Sequence, residues 1–224
     1  TRQSAPTTSA PPTLISDRPG GTQGTLALPG SWGAGNWNTG AFDPETGLYY
    51  AYSHMVPRVY RLADASGQEG TEMDYYSPNR DAPYLDGIPW VKPPWGRITA
   101  IDLTQGEILW QIAHGETADN IRNHPLLEGV NVPRTGRVGR VGTLITKTLV
   151  IAGEPGTFTT ASGERGAMLR AYDKATGEEL GSVYMPTGVS GSPMTYMHEG
   201  SQYIVVAISG GGFPGEFIAY RLPE

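Results

Sequence analysis

Four histidines are the first residues of this chain to examine for chemistry. They are His54, His114, His124 and His198, and no two have the short helical spacing of a zinc site. We therefore predict no metal site in the chain. His54 differs from the others because it follows a strand-like apolar run, and the loops at strand ends often carry binding residues. We expect it to line a substrate pocket, with an ordinary loop position as the alternative.

Two other segments could contact a ligand. Asn36 offers both a donor and an acceptor without adding charge, although asparagine also serves turns by bonding local backbone groups. Its neighbour Trp37 could lie against a ligand or pack between sheets. The glycine run Gly210 to Gly212 permits close backbone approach, but it lacks the Lys-Ser/Thr of a phosphate-binding loop. A tight turn at a strand end is the alternative for these glycines.

Two weaker patterns point to sugar binding or hydrolysis. Asp74, Asp81 and Asp86 lie among several aromatic residues and could line a sugar-binding surface, or form an ordinary solvated loop. Gly188-Val189-Ser190-Gly191 is one residue short of a hydrolase elbow and no helix follows it. Sequence cannot pair two carboxylates across a glycosidic bond, so hydrolysis stays a weak alternative.

The composition indicates a turn-rich all-β protein. Glycine (31 residues) and proline (19 residues) together make up about 22 % of the 224 residues, against roughly 12 % in typical soluble proteins. This high content disfavours long helices. Five tryptophans and twelve tyrosines give enough to bury, which argues against disorder. A net charge of −6 without a basic cluster makes nucleic acid a poor partner. Without cysteine, disulfides and thiolate sites are excluded.

A repeated turn motif is the most informative feature of the sequence. Ala100 to Trp110 and Ala171 to Gly181 both follow the pattern Ala-x-Asp-x-x-x-Gly. The aspartate can accept backbone N–H bonds and the glycine can adopt the positive φ that closes such a turn. Trp110 is placed to lie flat across an adjacent sheet. Gly181 stands at the equivalent position of the second copy, so that contact is missing there or is supplied by something else.

The strands group around these turns into blades of a β-propeller. We predict two four-stranded antiparallel units and three strands of a third; the first unit is interrupted by an insertion over residues 57–96. The predicted strands of the first unit are 36–43, 48–53, 97–102 and 108–113, those of the second are 143–146, 148–153, 167–173 and 178–184, and the last three are 192–197, 202–209 and 216–222. Four to eight blades usually close a ring, so the chain looks like part of a larger protein. Residues 1–24 are predicted as a flexible tail or linker, and residues 25–224 as the blades.

Several strings resemble the quinoprotein (pyrroloquinoline quinone, PQQ) alcohol and glucose dehydrogenases. These are the two repeated turns, Gly35-Asn36-Trp37 with Ala41-Phe42-Asp43-Pro44, the string from Pro94 to Asp102, and the string from Gly191 to Tyr196 with Gln202 to Val206. They occur in the family's order and match its C-terminal part. The resemblance implies that these two blades and three strands of another come from an eight-bladed propeller, whose remaining blades lie on an N-terminal part of the protein.

The resemblance also implies a cofactor and a cellular location. It implies a periplasmic enzyme that oxidises a sugar or alcohol with PQQ and Ca²⁺ and passes electrons to a cytochrome or membrane quinone. The family's catalytic aspartate and Ca²⁺ ligands lie upstream of the matched region, so no catalytic or metal-ligating residue is assigned here and the chain alone is expected to be inactive. Asn36 matches a cofactor-contacting asparagine, with Trp37 beside it. Gly210 and Gly211 match a segment in which the family often has a tryptophan; Gly211 leaves only backbone approach.

A non-enzymatic propeller is the alternative. Gly181 and Gly211 both stand where the family has tryptophan. A scaffold or binding module that has lost cofactor chemistry would explain both departures.

Overall fold

β-Strands make up nearly all the regular structure of the chain. The computed structural model describes residues 13–16, 18–78 and 84–222. Its strands are β1 (Thr13–Leu14), β2 (Thr25–Ala27), β3 (Ala41–Asp43), β4 (Leu48–His54), β5 (Arg58–Asp64), β6 (Tyr75–Tyr76), β7 (Tyr84–Leu85), β8 (Ile88–Pro89), β9 (Gly96–Asp102), β10 (Glu107–Ala113), β11 (Thr143–Ile145), β12 (Leu149–Gly153), β13 (Phe158–Thr159), β14 (Arg165–Asp173), β15 (Glu179–Met185), β16 (Met194–His198), β17 (Ser201–Gly210) and β18 (Phe213–Arg221). A short helix, α1 (Asp119–Arg122), and a 3-10 turn at Pro125–Leu127 interrupt them. Within the described ranges, no helix is long and apolar enough to cross a membrane.

Three antiparallel sheets form the larger unit, which contains residues 32–55 and 92–222 of the described chain. The first has the strand order β10-β9-β4-β3. In the second, β11, β12, β14 and β15 pair in that order, and β13 pairs with the start of β14. The third contains β16, β17 and β18. The predicted partial propeller, with two four-stranded blades and three strands of another, is confirmed.

The repeated turns fold as their residue types predict. Asp102 Oδ1 accepts hydrogen bonds from the backbone N–H groups of Thr104 (2.8 Å) and Gln105 (3.0 Å), and Gly106 closes the turn at φ +70°. Asp173 accepts equivalent bonds from the second and third residues after it, and Gly177 has φ +76°. Local side-chain chemistry therefore fixes both hairpins before any packing between sheets.

Trp110 joins the first sheet to the second. Its indole N–H donates a hydrogen bond to the carbonyl of Lys174 (3.2 Å), and its ring covers Gly177. A Cβ at Gly177 would lie 2.9 Å from that ring, so only glycine fits beneath it. Tyr50 O–H donates to the same carbonyl (3.1 Å). The predicted contact of Trp110 with a neighbouring sheet is confirmed, while no atom of the described chain lies within 4 Å of a Cβ built at Gly181.

The core lies between successive sheets. β12 is buried on both faces because its side chains alternate: Val150 and Ala152 pack toward the first sheet and Ile151 toward the third. On the first side they join an aromatic cluster with Tyr50 and Tyr172. The middle blade thereby positions the other two, and the loops at its ends are held by both neighbours.

A smaller unit contains the described residues up to Ser31 together with Val56–Val91. In its sheet β5 pairs with β1, β2 and β6, and β1 runs parallel to β5; β7 and β8 form a separate hairpin. The insertion into the first blade therefore has strands of its own. The division at residue 24 stays a prediction, since residues 1–12 lie outside the described residues, as does Asp81. Asp74 and Asp86 belong to this unit.

Candidate functional site

The loops that lead into the first strand of each blade (β3, β11 and β16) converge at one end of the larger unit. Thr39, just before β3, bonds through its carbonyl to the N–H of Thr143 at the start of β11 (3.0 Å), and its hydroxyl lies 3.2 Å from that of Ser192, before β16. Val189 bonds to the carbonyl of Glu154 after β12 (2.9 Å). All three blades thus contribute to one cluster of loops.

A cavity of about 330 Å³ opens among these loops. Its walls are mostly aromatic or aliphatic, with one cation and one hydroxyl: Trp32, Trp37, Arg140, Pro155, Val189 and Ser190. Arg140 lies with its guanidinium carbon 5.7 Å from the centre of the Trp32 ring, a cation–π distance. This volume suits a small ring-shaped ligand. We refer to it below as the loop cavity.

Trp37 lines the loop cavity, and Asn36 precedes it in the chain without being a lining residue. Asn36 Oδ1 accepts a hydrogen bond from the backbone N–H of Trp37 (2.9 Å), which is the local turn role considered above. Its amide N–H₂ makes no hydrogen bond to the described residues and is free to donate outward. Trp37 is 66 % exposed, so in this chain its ring is not packed between sheets and presents an open face.

His54 lies behind Trp32 and is buried. The two rings meet edge to face at 6.3 Å. Its Nδ1 donates to the carbonyl of Gly139 (2.9 Å), because a carbonyl can only accept. Nε2 is buried and makes no hydrogen bond of normal geometry to the described residues, although the backbone of Gly33 lies close enough to act on the pKa of the ring. Burial lowers the pKa of His54 below its usual value, which keeps the ring neutral. His54 is not itself a lining residue of the loop cavity, and its predicted contact with substrate stays a prediction.

The glycine run forms the tight hairpin between β17 and β18. Gly210, Gly211 and Gly212 all have positive φ (+111°, +63° and +84°), which explains the glycines by backbone conformation. The carbonyl of Gly210 accepts a hydrogen bond from the Thr187 hydroxyl (3.2 Å), next to the loop that supplies Val189 and Ser190. These glycines do not line the loop cavity, and their approach to a cofactor stays a prediction.

Sequence reasoning missed Trp32 and Arg140. Each precedes the first strand of a blade, β3 or β11, as Asn36 and Trp37 also do. Equivalent strand positions in neighbouring blades lie at the same end of a propeller, so this placement is the signal that could have found them. Neither residue belongs to a recognisable local motif.

A second constellation joins the first two blades by charge. Arg170 is buried and donates to Glu154 from Nε (2.7 Å), to Glu179 (2.6 Å) and to Glu116 (3.3 Å). Arg134 also bridges Glu116 and Glu179. Burial raises the pKa of Glu154 despite Arg170, while the neighbouring carboxylates raise that of Arg170. The network borders a groove of about 560 Å³. Glu154 Oε1 pairs with Arg170, while its Oε2 is buried without a hydrogen-bond partner among the described residues. The ion pairs between the two blades give the network a structural role.

His114 completes this junction as a neutral group. Its Nε2 donates to the carbonyl of Gly153 (3.1 Å), and Nδ1 accepts from the hydroxyl of Tyr172 (2.8 Å). Full burial lowers the pKa of His114 to about 4. Across the described ranges, no three or more histidine and acidic side chains are grouped to hold a metal ion.

Comparison with known proteins places this geometry in a family. A family model described as the β-propeller domain of PQQ glucose/ethanol/alcohol dehydrogenases matches residues 10–204. A probable quinate dehydrogenase (quinone) of Xanthomonas campestris pv. juglandis is 32 % identical over 233 residues, which cover 91 % of this chain and 28 % of that protein. The quinoprotein glucose dehydrogenase of Escherichia coli (strain K12) is 30 % identical over 233 residues, covering 92 % of this chain and 28 % of its own length.

A solved structure is similar to the chain in fold as well as in sequence. The crystal structure of quinohemoprotein alcohol dehydrogenase from Comamonas testosteroni matches with a TM-score of 0.51 and 28 % identity, covering 82 % of this chain and 24 % of that one. The chain thus spans little more than a quarter of the length of the curated relatives named above.

Proposed function

Since the chain belongs to the PQQ-dependent glucose, ethanol and alcohol dehydrogenase family, we propose that it forms the C-terminal part of an enzyme that oxidises a hydroxyl of a sugar or alcohol. Its role there is to complete one side of the cofactor site and of the substrate pocket. The observation that carries the proposal is the loop cavity, where segments before the first strands of three blades meet, with Trp37 at the wall and Asn36 next to it in the chain.

Residues at and near the loop cavity fit a flat, carbonyl-bearing cofactor. Trp37 offers an exposed aromatic face, and the unengaged amide N–H₂ of Asn36 can donate to a quinone carbonyl. The unpartnered Nε2 of His54 can accept a hydrogen bond from a group that reaches past Trp32. Gly210 and Gly211 would contribute backbone alone. These five residues are the proposed cofactor and substrate contacts of the chain.

PQQ, when bound, accepts two electrons from the carbon that carries the substrate's hydroxyl group. The base that removes the hydroxyl proton and the ligands of Ca²⁺ are proposed to lie in the rest of the protein. The side chains of this chain would hold and orient the cofactor and the substrate. Asn36 would do so by an uncharged hydrogen bond and Trp37 by contact with its flat ring. His54 would accept a hydrogen bond, because burial lowers its pKa and keeps the ring neutral.

The electron acceptor, the cellular location and the substrates belong to the same proposal. Electrons would pass to a cytochrome or a membrane quinone, and the enzyme would work in the periplasm. Support comes from relatives whose names include quinohemoprotein and dehydrogenase (quinone). Relatives are also named for quinate, glucose and glycerol, so both neutral and carboxylate-bearing polyols are candidate substrates.

The test is reconstitution of the complete protein that contains this chain. It is loaded with PQQ and Ca²⁺ and assayed for dye reduction with glucose, ethanol and quinate, beside the same protein without PQQ and beside this chain alone. We expect PQQ-dependent reduction by the complete protein only. A complete protein that binds no PQQ and reduces no dye with any of these substrates would refute the proposal.

That negative result would favour a non-enzymatic propeller. One structural observation supports this second candidate, since neither Gly181 nor Gly211 has a described neighbour where a larger side chain would stand. A scaffold needs the Trp110 contact between blades but no free amide at Asn36. Retained folding without PQQ affinity would identify it.

A further inference from the structure

Arg140 is the cation of the loop cavity. Four arginines of the larger unit pair with carboxylates, namely Arg170 and Arg134 in the buried network and Arg122 and Arg165 at its edges, whereas Arg97 and Arg137 have no ion pair to a described residue. Arg140 makes no ion pair with any described residue, and none of the six residues that line the loop cavity is acidic. Its only described contact is with the face of Trp32. The loop cavity therefore carries a positive charge that the described chain does not neutralise.

The walls of the loop cavity define the rest of a matching ligand. Trp32, Pro155 and Val189 present flat or rounded apolar surface beside the Trp37 face proposed for the cofactor, and Ser190 adds one hydroxyl that can donate or accept. Apolar walls pack against the C–H face of a ring, whereas an arginine fork binds a carboxylate through two parallel hydrogen bonds. A polyhydroxylated ring with one carboxylate satisfies all of these groups together.

Arg140 is exposed in this chain and lies beside Trp32 at the loop cavity. Trp32 meets the buried ring of His54 edge to face at 6.3 Å, and the guanidinium carbon of Arg140 lies 5.7 Å from the centre of the Trp32 ring. This cation–π contact favours one placement of the guanidinium, so less side-chain entropy is lost when an anion binds it.

Resting on the proposed function, we infer that Arg140 is a specificity-determining residue: it pairs with the carboxylate of a ring-shaped polyol acid that the enzyme oxidises, and Trp32 positions it. Arg140 takes no part in electron or proton transfer. It binds the substrate's carboxylate, which lies away from the hydroxyl that is oxidised.

The experiment compares a carboxylate substrate with its uncharged methyl ester. The complete protein, loaded with PQQ and Ca²⁺, is assayed with quinate and with its methyl ester, and quinate binding is also measured by calorimetry without an electron acceptor. For Arg140→Gln we expect KM and Kd for quinate to rise about 10- to 100-fold, the usual range for a hydrogen bond to a charged group, with a much smaller change in KM for the ester. Arg140→Lys, which keeps charge but loses the fork, should lie between.

The control is Lys147→Gln, which removes another exposed cation at the opposite end of β11 and should leave both substrates unaffected. PQQ affinity is measured on each variant to confirm that the site is assembled. The inference is overturned if wild-type protein does not prefer quinate to the ester, if Arg140→Gln raises both KM values equally, or if it weakens PQQ binding instead. Loss of PQQ-dependent activity with every substrate in the wild-type protein would refute the proposed function itself.

Discussion

Adding one methyl group under Trp110 tests how the blades are joined. Gly106 and Gly177 close equivalent turns with nearly equal φ, +70° and +76°. Alanine at either position must adopt a left-handed backbone conformation, which costs about 1–2 kcal/mol. At Gly106 no atom lies within 4 Å of that Cβ, whereas at Gly177 it meets the Trp110 ring at 2.9 Å. Gly177→Ala should therefore cost about 1–3 kcal/mol more than Gly106→Ala, the usual range for overpacking.

The assay is urea unfolding of the complete protein, followed by tryptophan fluorescence. In a Trp110→Ala background, the ring is gone and Gly177→Ala should cost no more than Gly106→Ala, which isolates the contact as a coupling between the two sites. Equal costs for the two alanine variants in the wild-type background would refute the reasoning, because backbone strain would then explain everything and the ring would contribute nothing.

Two further predictions concern the junction of the first and second blades. Burial lowers the pKa of His114 to about 4. Between about pH 6.5 and 4 the unfolded chain therefore binds a proton that the folded chain does not. The free energy of unfolding should decrease by up to about 3 kcal/mol as the pH is lowered through that window. Urea unfolding at pH 7 and 4.5 checks this: His114→Gln should show a smaller loss than wild type, and an equal loss would contradict it. Arg170→Met leaves Glu154 buried and uncompensated and should cost about 3–5 kcal/mol, whereas Arg165→Met at an exposed ion pair should cost less than about 1. Adding Glu154→Gln to Arg170→Met should restore part of the loss; similar costs for the two arginine variants would show that the pair with Glu154 carries no special weight.

The blades could be predicted from sequence because their determinants are local. Asp102 and Gly106 build a turn within five residues, and the strands on either side follow from the same segment. The contact of Trp110 with a neighbouring sheet was also predictable, since the repeat fixes which turn comes next. The pairing of Thr13–Leu14 with β5 was not, because it brings together segments almost fifty residues apart without a motif in either.

The candidate site was predictable only in part. Asn36 and Trp37 were found through a resemblance, and the structure puts Trp37 on the loop cavity. Trp32 and Arg140 come from different loops and meet only after the blades pack, so neither sequence neighbourhood reveals the pair. For His54, sequence indicated a strand end, but burial and the bare Nε2 depend on Gly139, far along the chain.

The most direct test of the central claim is the PQQ affinity of the complete protein with and without the Asn36 amide. We predict that Asn36→Ala raises the Kd for PQQ in the presence of Ca²⁺ by about 10-fold, as expected for one hydrogen bond, while Asn131→Ala at an exposed loop position leaves it unchanged. An Asn36→Ala protein that binds PQQ as tightly as wild type would contradict the claim that this chain completes the cofactor site.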